Sequence, residues 1–151
     1  MNTDLREQIR ETAAQICSCM KFTVAVEIGE DEEGFLVVFS GKDSEFLLQK
    51  NGDVLNSLEY VLNRIFSDRL KKDLKITTDA NDFRRIRREE LCLIAEKASE
   101  KVGNYGTTIN LQAMPPHERR IIHMALKDNP KVKTVSEGMG EDRKVIIMPS
   151  R

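Results

Sequence analysis

The chain has no tryptophan, three cysteines, four prolines and 5% aromatic residues in 151 positions. With so few rings it has no broad platform on which successive bases could stack. Cys17, Cys19 and Cys92 are odd in number, and two of them are separated by a single residue within a helical pattern. That spacing suits neither a disulfide framework nor a zinc site, and such cysteines read as small apolar core residues. His117 and His123 are six apart, do not share a helical face and add no metal site. No apolar run approaches the ~20 residues of a membrane helix. The polar residues 1–7 have no signal-peptide character. A Walker-A loop and a nucleophile motif are also missing, and no carboxylate cluster stands beside His123 to hold a nuclease metal. The expectation is a cytoplasmic, non-enzymatic chain with no cofactor, no metal and no membrane insertion.

What is present is charge, 32% of residues, and it is unevenly divided. Residues 1–63 hold 5 Lys/Arg against 12 Asp/Glu, a balance of −7; residues 64–151 hold 19 against 13, a balance of +6. A basic half can collect a polyanion by releasing its counterions, to which the acidic half contributes nothing.

Hydrophobic periodicity predicts a mixed α+β chain. Leu5, Ile9, Ala13, Ile16 and Met20 form the stripe of a helix over residues 4–20. Residues 22–28 and 34–40 are strand candidates around an acidic turn at 29–33. A helix carrying Leu55, Leu58, Leu62 and Ile65 runs to about residue 70, and residues 74–79 are a third strand. The second half opens with a helix over 82–103 whose stripe is Leu91, Ile94, Ala95, Ala98 and Val102, followed by a strand at 107–111. Pro115-Pro116 starts the next helix, because Pro at the first helical positions forfeits only N–H groups without partners. Asn129-Pro130 ends it, and strands at 132–136 and 144–148 close around the turn 137–143. Two closely joined domains are expected, 1–79 and 80–151.

Three stretches carry candidate chemistry. On a helical wheel from Arg119, Ile121, Ile122, Ala125 and Leu126 fall on one side, and Arg119, Arg120, His123 and Lys127 on the other. Arg119 and His123 are i and i+4, so a guanidinium and an imidazole stand side by side on a solvent-facing ridge; like charge there favours a neutral His near pH 7. A phosphate between them would reverse that preference. In Gln49-Lys50-Asn51-Gly52-Asp53, a Gly-containing turn opens into a helix N-terminus with Asp53 as cap, leaving backbone N–H groups where a phosphate could rest. Arg84, Arg85, Arg87 and Arg88 near the start of the helix over 82–103 are either a nucleic-acid face or simply a solvated helix start; because they oppose the helix dipole, Arg84, Arg87 and Arg88 are read as an additional basic face.

The order helix, two strands, basic Gly turn, helix, strand resembles a KH domain of the bacterial arrangement, whose Gly-x-x-Gly loop clamps about four single-stranded nucleotides. Here Gln49 stands at the first Gly. Arg119-x-x-x-His123 resembles the small α/β nucleic-acid-binding domain named for an arginine, three residues and a histidine. The likeness extends through Met114 to His123, Thr134-Val135-Ser136-Glu137-Gly138 and Arg143-Lys144-Val145-Ile146-Ile147. Together these stretches, with Gly52 to Asn63 and Phe83-Arg84-x-x-Arg87, resemble the Jag family of bacterial proteins. Members often carry an extra N-terminal domain, which this chain is expected to lack, and Pro115 and His117 stand where Asn and Tyr are usual. The resemblance implies single-stranded RNA binding, with single-stranded DNA as a second ligand, in post-transcriptional control linked to cell envelope growth and division. The implied site is Lys50, Asn51 and Gly52 in the first domain, and Arg119, Arg120, His123, Lys127, Arg143 and Lys144 in the second. It also implies a second KH protein or self-association as partner. The alternative is a protein adaptor, or scaffold for a KH partner, whose loop no longer binds RNA.

Overall fold

The computed structural model describes residues 2–31 and 33–150, with side chains from 4–30 and 33–150. It divides into two compact units, 1–84 and 85–151.

The first unit is built around a three-stranded sheet. Helix α1 (Asn2–Cys19) places Ile9, Ala13 and Cys17 at four-residue spacing into the core, and burial pushes the Cys17 thiol up to about 11. Cys19, expected inside, is exposed. Strands β1 (Ala25–Asp31) and β2 (Gly34–Ser40) form an antiparallel hairpin in register Ala25↔Ser40 to Asp31↔Gly34. The expected turn at 29–31 is therefore strand; Glu32 lies outside the described residues. Phe35, Val37 and Phe39 alternate inward from β2, as a half-covered strand requires. A short 3-10 turn, Ser44–Leu48, which sequence periodicity does not reveal, leads into α2 (Gln49–Ile65). Helix α2 buries Leu55, Leu58 and Leu62 and stops five residues earlier than expected, leaving Ile65 half exposed. It serves as the crossover to β3 (Lys75–Ala80), which pairs parallel with β2.

The second unit is a smaller α/β layer. Helix α3 (Phe83–Tyr105) begins in the first unit with Phe83 and Arg84 and continues into the second, where Leu91, Ala95, Ala98 and Val102 are buried. Strands β4 (Ile109–Ala113), β5 (Val132–Glu137) and β6 (Lys144–Pro149) form an antiparallel sheet in the order β4-β6-β5. Helix α4 (Pro116–Leu126) starts at Pro116 as Pro115-Pro116 predicts, and Ile122 and Leu126 meet Val145 and Ile147 of the central strand in one apolar cluster. No helix among the described residues is long and apolar enough to cross a membrane.

Candidate nucleic-acid interface

In the first unit the candidate loop is shaped by its backbone. Lys50, Asn51 and Gly52 all lie in the left-handed region, with φ of 50°, 58° and 84°, so right-handed helical geometry begins at Asp53. Asn tolerates this region and Gly prefers it, whereas Lys there costs on the order of 1–2 kcal/mol. Lys50 and Asn51 are exposed and Gly52 is buried. A Cβ at position 52 would lie 2.6 Å from Phe83 Cε1, so the loop closes on an aromatic ring 31 positions further along the chain. Asp53 does not cap as expected. Its carboxylate meets no backbone N–H among the described residues, and its main-chain carbonyl accepts from Ser57 Oγ at 2.8 Å.

The arginine-rich start of α3 departs from the sequence expectation. Asp79 Oδ1 accepts from the Arg84 N–H at 3.1 Å and so caps this helix. The Arg84 guanidinium donates to Thr78 O at 3.0 Å, Asn56 Oδ1 at 2.7 Å and Glu59 Oε2 at 3.0 Å. Arg87 donates through Nε and Nη2 to the two oxygens of Glu118, at 2.7 and 3.0 Å, and through Nη1 to Glu90 at 2.8 Å. Glu118 is 2% exposed. Hydrogen bonding to this buried carboxylate pushes the Arg87 pKa further up. Arg84 and Arg87 are thus internal ties rather than an additional basic face; Arg88 alone of the three expected there is exposed and without an ion pair among the described residues. For Arg84 and Arg87, carboxylates compensate the arginine charge at the helix start.

The basic residues of α4 grouped by the helical wheel do not share one surface. His123 faces β5 rather than open solvent. His123 lies between two hydroxyls, Nδ1 2.7 Å from Thr134 Oγ1 and Nε2 2.8 Å from Ser136 Oγ. Thr134 and Ser136 are two apart on one strand and therefore share a face. A neutral imidazole satisfies this pair by donating from one nitrogen and accepting at the other. Burial, and then the nearby Arg119 charge, lower the His123 pKa below its ordinary value, which keeps the ring neutral. Arg119 Nε donates to Met114 O at 3.2 Å, and the Met114 N–H donates to Arg143 O at 3.1 Å. One residue of backbone thereby fixes Arg119 and the strand entry at Arg143 together. The terminal nitrogens of Arg119 have no protein acceptor among the described residues. Arg143 and Lys127 are exposed and Lys144 is half-buried at the start of β6. Arg120, by contrast, lies on the flank facing α3.

Sequence reasoning found the Arg119 and His123 pair but missed Thr134, Ser136, Met114 and Glu118. The alternation of polar residues at 134 and 136 opposite apolar β6 was the available signal for the two hydroxyls. Nothing local marks Glu118, whose partner lies 31 residues away.

Residues 89–149 match the family model of the R-3-H domain, the one named for an arginine, three residues and a histidine. Over nearly the whole chain, 97%, the sequence is 32% identical to the RNA-binding protein KhpB of Clostridium symbiosum, covering 67% of that protein. It is 33% identical over 129 residues to KhpB of Bacillus subtilis, covering 83% of this chain and 62% of that one. A third relative, KhpB of Lactiplantibacillus plantarum, is 30% identical over 101 residues and 31% of its own length. The chain therefore spans about two thirds of the first two relatives and a third of the other.

Proposed function

The chain belongs to the KhpB family, and from that premise we propose that it is a non-catalytic binder of single-stranded RNA, with single-stranded DNA as a weaker second ligand. The observation that carries this reading is Arg119, anchored through Nε yet with its terminal nitrogens unclaimed, one turn from a neutral His123 seated on two hydroxyls. A guanidinium fork suits a phosphate, and an imidazole beside it can take the proton that a phosphate would stabilise. Arg143, Lys144 and Lys127 add charge around that pair.

In this reading the first unit, residues 1–79 extended to the α3 cap, is a KH-like domain. Its order of helix, hairpin, loop, helix and parallel strand supports the assignment. Lys50 and Asn51, with the Gly52 amide, hold backbone phosphates there, and Gln49 in place of Gly weakens the grip without removing it. The role is post-transcriptional control in the cytoplasm, linked to envelope growth and division, with a second KH protein or a second copy as partner.

Affinity for a mixed-sequence single-stranded RNA at two salt concentrations tests the proposal, with Lys50→Ala and Arg119→Ala beside the parent. Salt-sensitive binding weakened by both substitutions is expected. Loss with Arg119→Ala only would make the first unit a scaffold. No binding at low salt would overturn the RNA reading in favour of the adaptor.

A further inference from the structure

The flank of α4 that faces α3 takes no part in the Arg119 and His123 arrangement. Along it Arg120, Ile121 and Met124, with His117 and with Arg88 and Cys92 of α3, line a groove of about 500 Å³. That lies within the roughly 300–1,000 Å³ of clefts that hold small molecules. Its chemistry is two-part. Ile121 and Cys92 are half-buried, and Met124, 59% exposed, offers a polarizable thioether of the kind that packs against aromatic rings.

Its rim carries two exposed guanidiniums, Arg88 and Arg120, and neither has a carboxylate partner among the described residues. The contrast within α3 is sharp: Arg84 pairs with Glu59, Arg85 with Glu89 and Arg87 with Glu118 and Glu90. A helix start that neutralises each of these neighbours leaves uncompensated the arginine that lines the groove. Unneutralised cations over an apolar floor match a ligand with an anionic edge and a flat apolar body.

The geometry points to this groove as the seat of one nucleotide of a bound single strand, its base lying on Ile121 and Met124 and its phosphate held by Arg88 and Arg120. The inference rests on the RNA-binding reading and adds to it a second contact surface on the opposite flank of the same helix. One strand then engages α4 on both sides. Stacking on side chains without base-edge hydrogen bonds makes this seat tolerant of base identity.

Cys92 reports on the groove directly, with exposed Cys19 of α1 as internal control. Alkylation of both thiols by N-ethylmaleimide is timed by peptide mass spectrometry, with and without a mixed-sequence 12-nucleotide single-stranded RNA. Fluorescence anisotropy in the same samples follows the bound RNA. At saturation Cys92 alkylation should slow about fivefold or more while Cys19 is unaffected. The double variant Arg88→Gln, Arg120→Gln, brought to anisotropy-verified saturation at a correspondingly higher RNA concentration, should lose that protection. An unchanged Cys92 rate under anisotropy-verified saturation would overturn the groove and leave the RNA reading intact. Absence of RNA binding at low salt would overturn both. Equal protection by polyphosphate, which has no bases, would reduce the groove to an anion site and overturn the nucleotide seat.

Discussion

The two candidate surfaces are held in place by different parts of the polymer. At Lys50, Asn51 and Gly52 the main chain itself is unusual, three consecutive left-handed residues, and the side chains ride on it. At Arg119 and His123 the main chain is an ordinary helix, and the specificity lies in what neighbouring side chains and carbonyls do to an imidazole and a guanidinium. Substitutions in the first should therefore act through conformation and stability. At Arg119 and His123 themselves they should act through charge and hydrogen bonding, with little change in fold, whereas the buried ties beneath that helix, such as Glu118 to Arg87, carry stability.

The largest expected effect tests whether the second surface is indeed underpinned by side chains. Glu118→Ala leaves Arg87 without its bidentate partner in a nearly closed environment, and should cost about 3–5 kcal/mol of unfolding free energy in urea titration. A loss below about 1 kcal/mol would mean that the pair is dispensable and the comparison too simple. Next comes Gly52→Ala, which combines a left-handed backbone with a Cβ against Phe83 and should cost about 1–3 kcal/mol. The sharpening experiment is the same change in a Phe83→Ala background. If ring contact contributes, the two costs are less than additive; if they add fully, backbone strain accounts for all of it.

Much of the fold was legible because it is written in local periodicity. The start of α4 at Pro116, the strand over 34–40 and the stripe Leu55, Leu58, Leu62 needed only spacing and Pro chemistry. What escaped depends on residues far apart in the chain. Glu118 reads as an ordinary acidic residue in a first helical turn until Arg87 arrives from α3, and the arginines at the start of α3 look unfavourable until Asp79, Glu59 and Glu118 are in place. Of the four residues the helical wheel turned inward, Ile122 and Leu126 are buried, Ile121 is half-buried and Ala125 is exposed, and the wheel merged Arg120 with Arg119 and His123. A wheel marks inside and outside but does not know that the outside has two flanks, one toward β5 and one toward α3.

Smaller effects concern binding. Arg119→Ala should weaken single-stranded RNA affinity about tenfold, in line with one charge-assisted contact, while moving the urea midpoint little. Lys50→Ala should weaken it only a few-fold and flatten the logarithmic salt dependence by about 0.7, one phosphate's share on a single strand. A large stability loss with Arg119→Ala, or none with Gly52→Ala, would invert the contrast between the two surfaces.

The smallest effect is a pH dependence of stability. Because the folded-state pKa of His123 lies below its ordinary value of 6.5, the unfolded chain binds the proton more readily. The stabilisation is full above pH 6.5 and declines as pH falls through and below it. Urea midpoints should therefore decrease between about pH 7.5 and 5.5, and His123→Gln should flatten that decrease. An unchanged pH slope in the variant would show that the ring does not remain neutral for the reason given.

The order β4-β6-β5 sets a timetable for synthesis. The middle strand, Lys144–Pro149, is the last of the three to emerge from a ribosome. Until it does, β4 and β5 have no partner and expose unpaired edges. Thr134 and Ser136 then lack the strand that fixes β5 beneath His123. A nascent chain halted before residue 144 would carry the Arg119 and His123 motif without the strand that holds the Thr134 and Ser136 hydroxyls beside the imidazole.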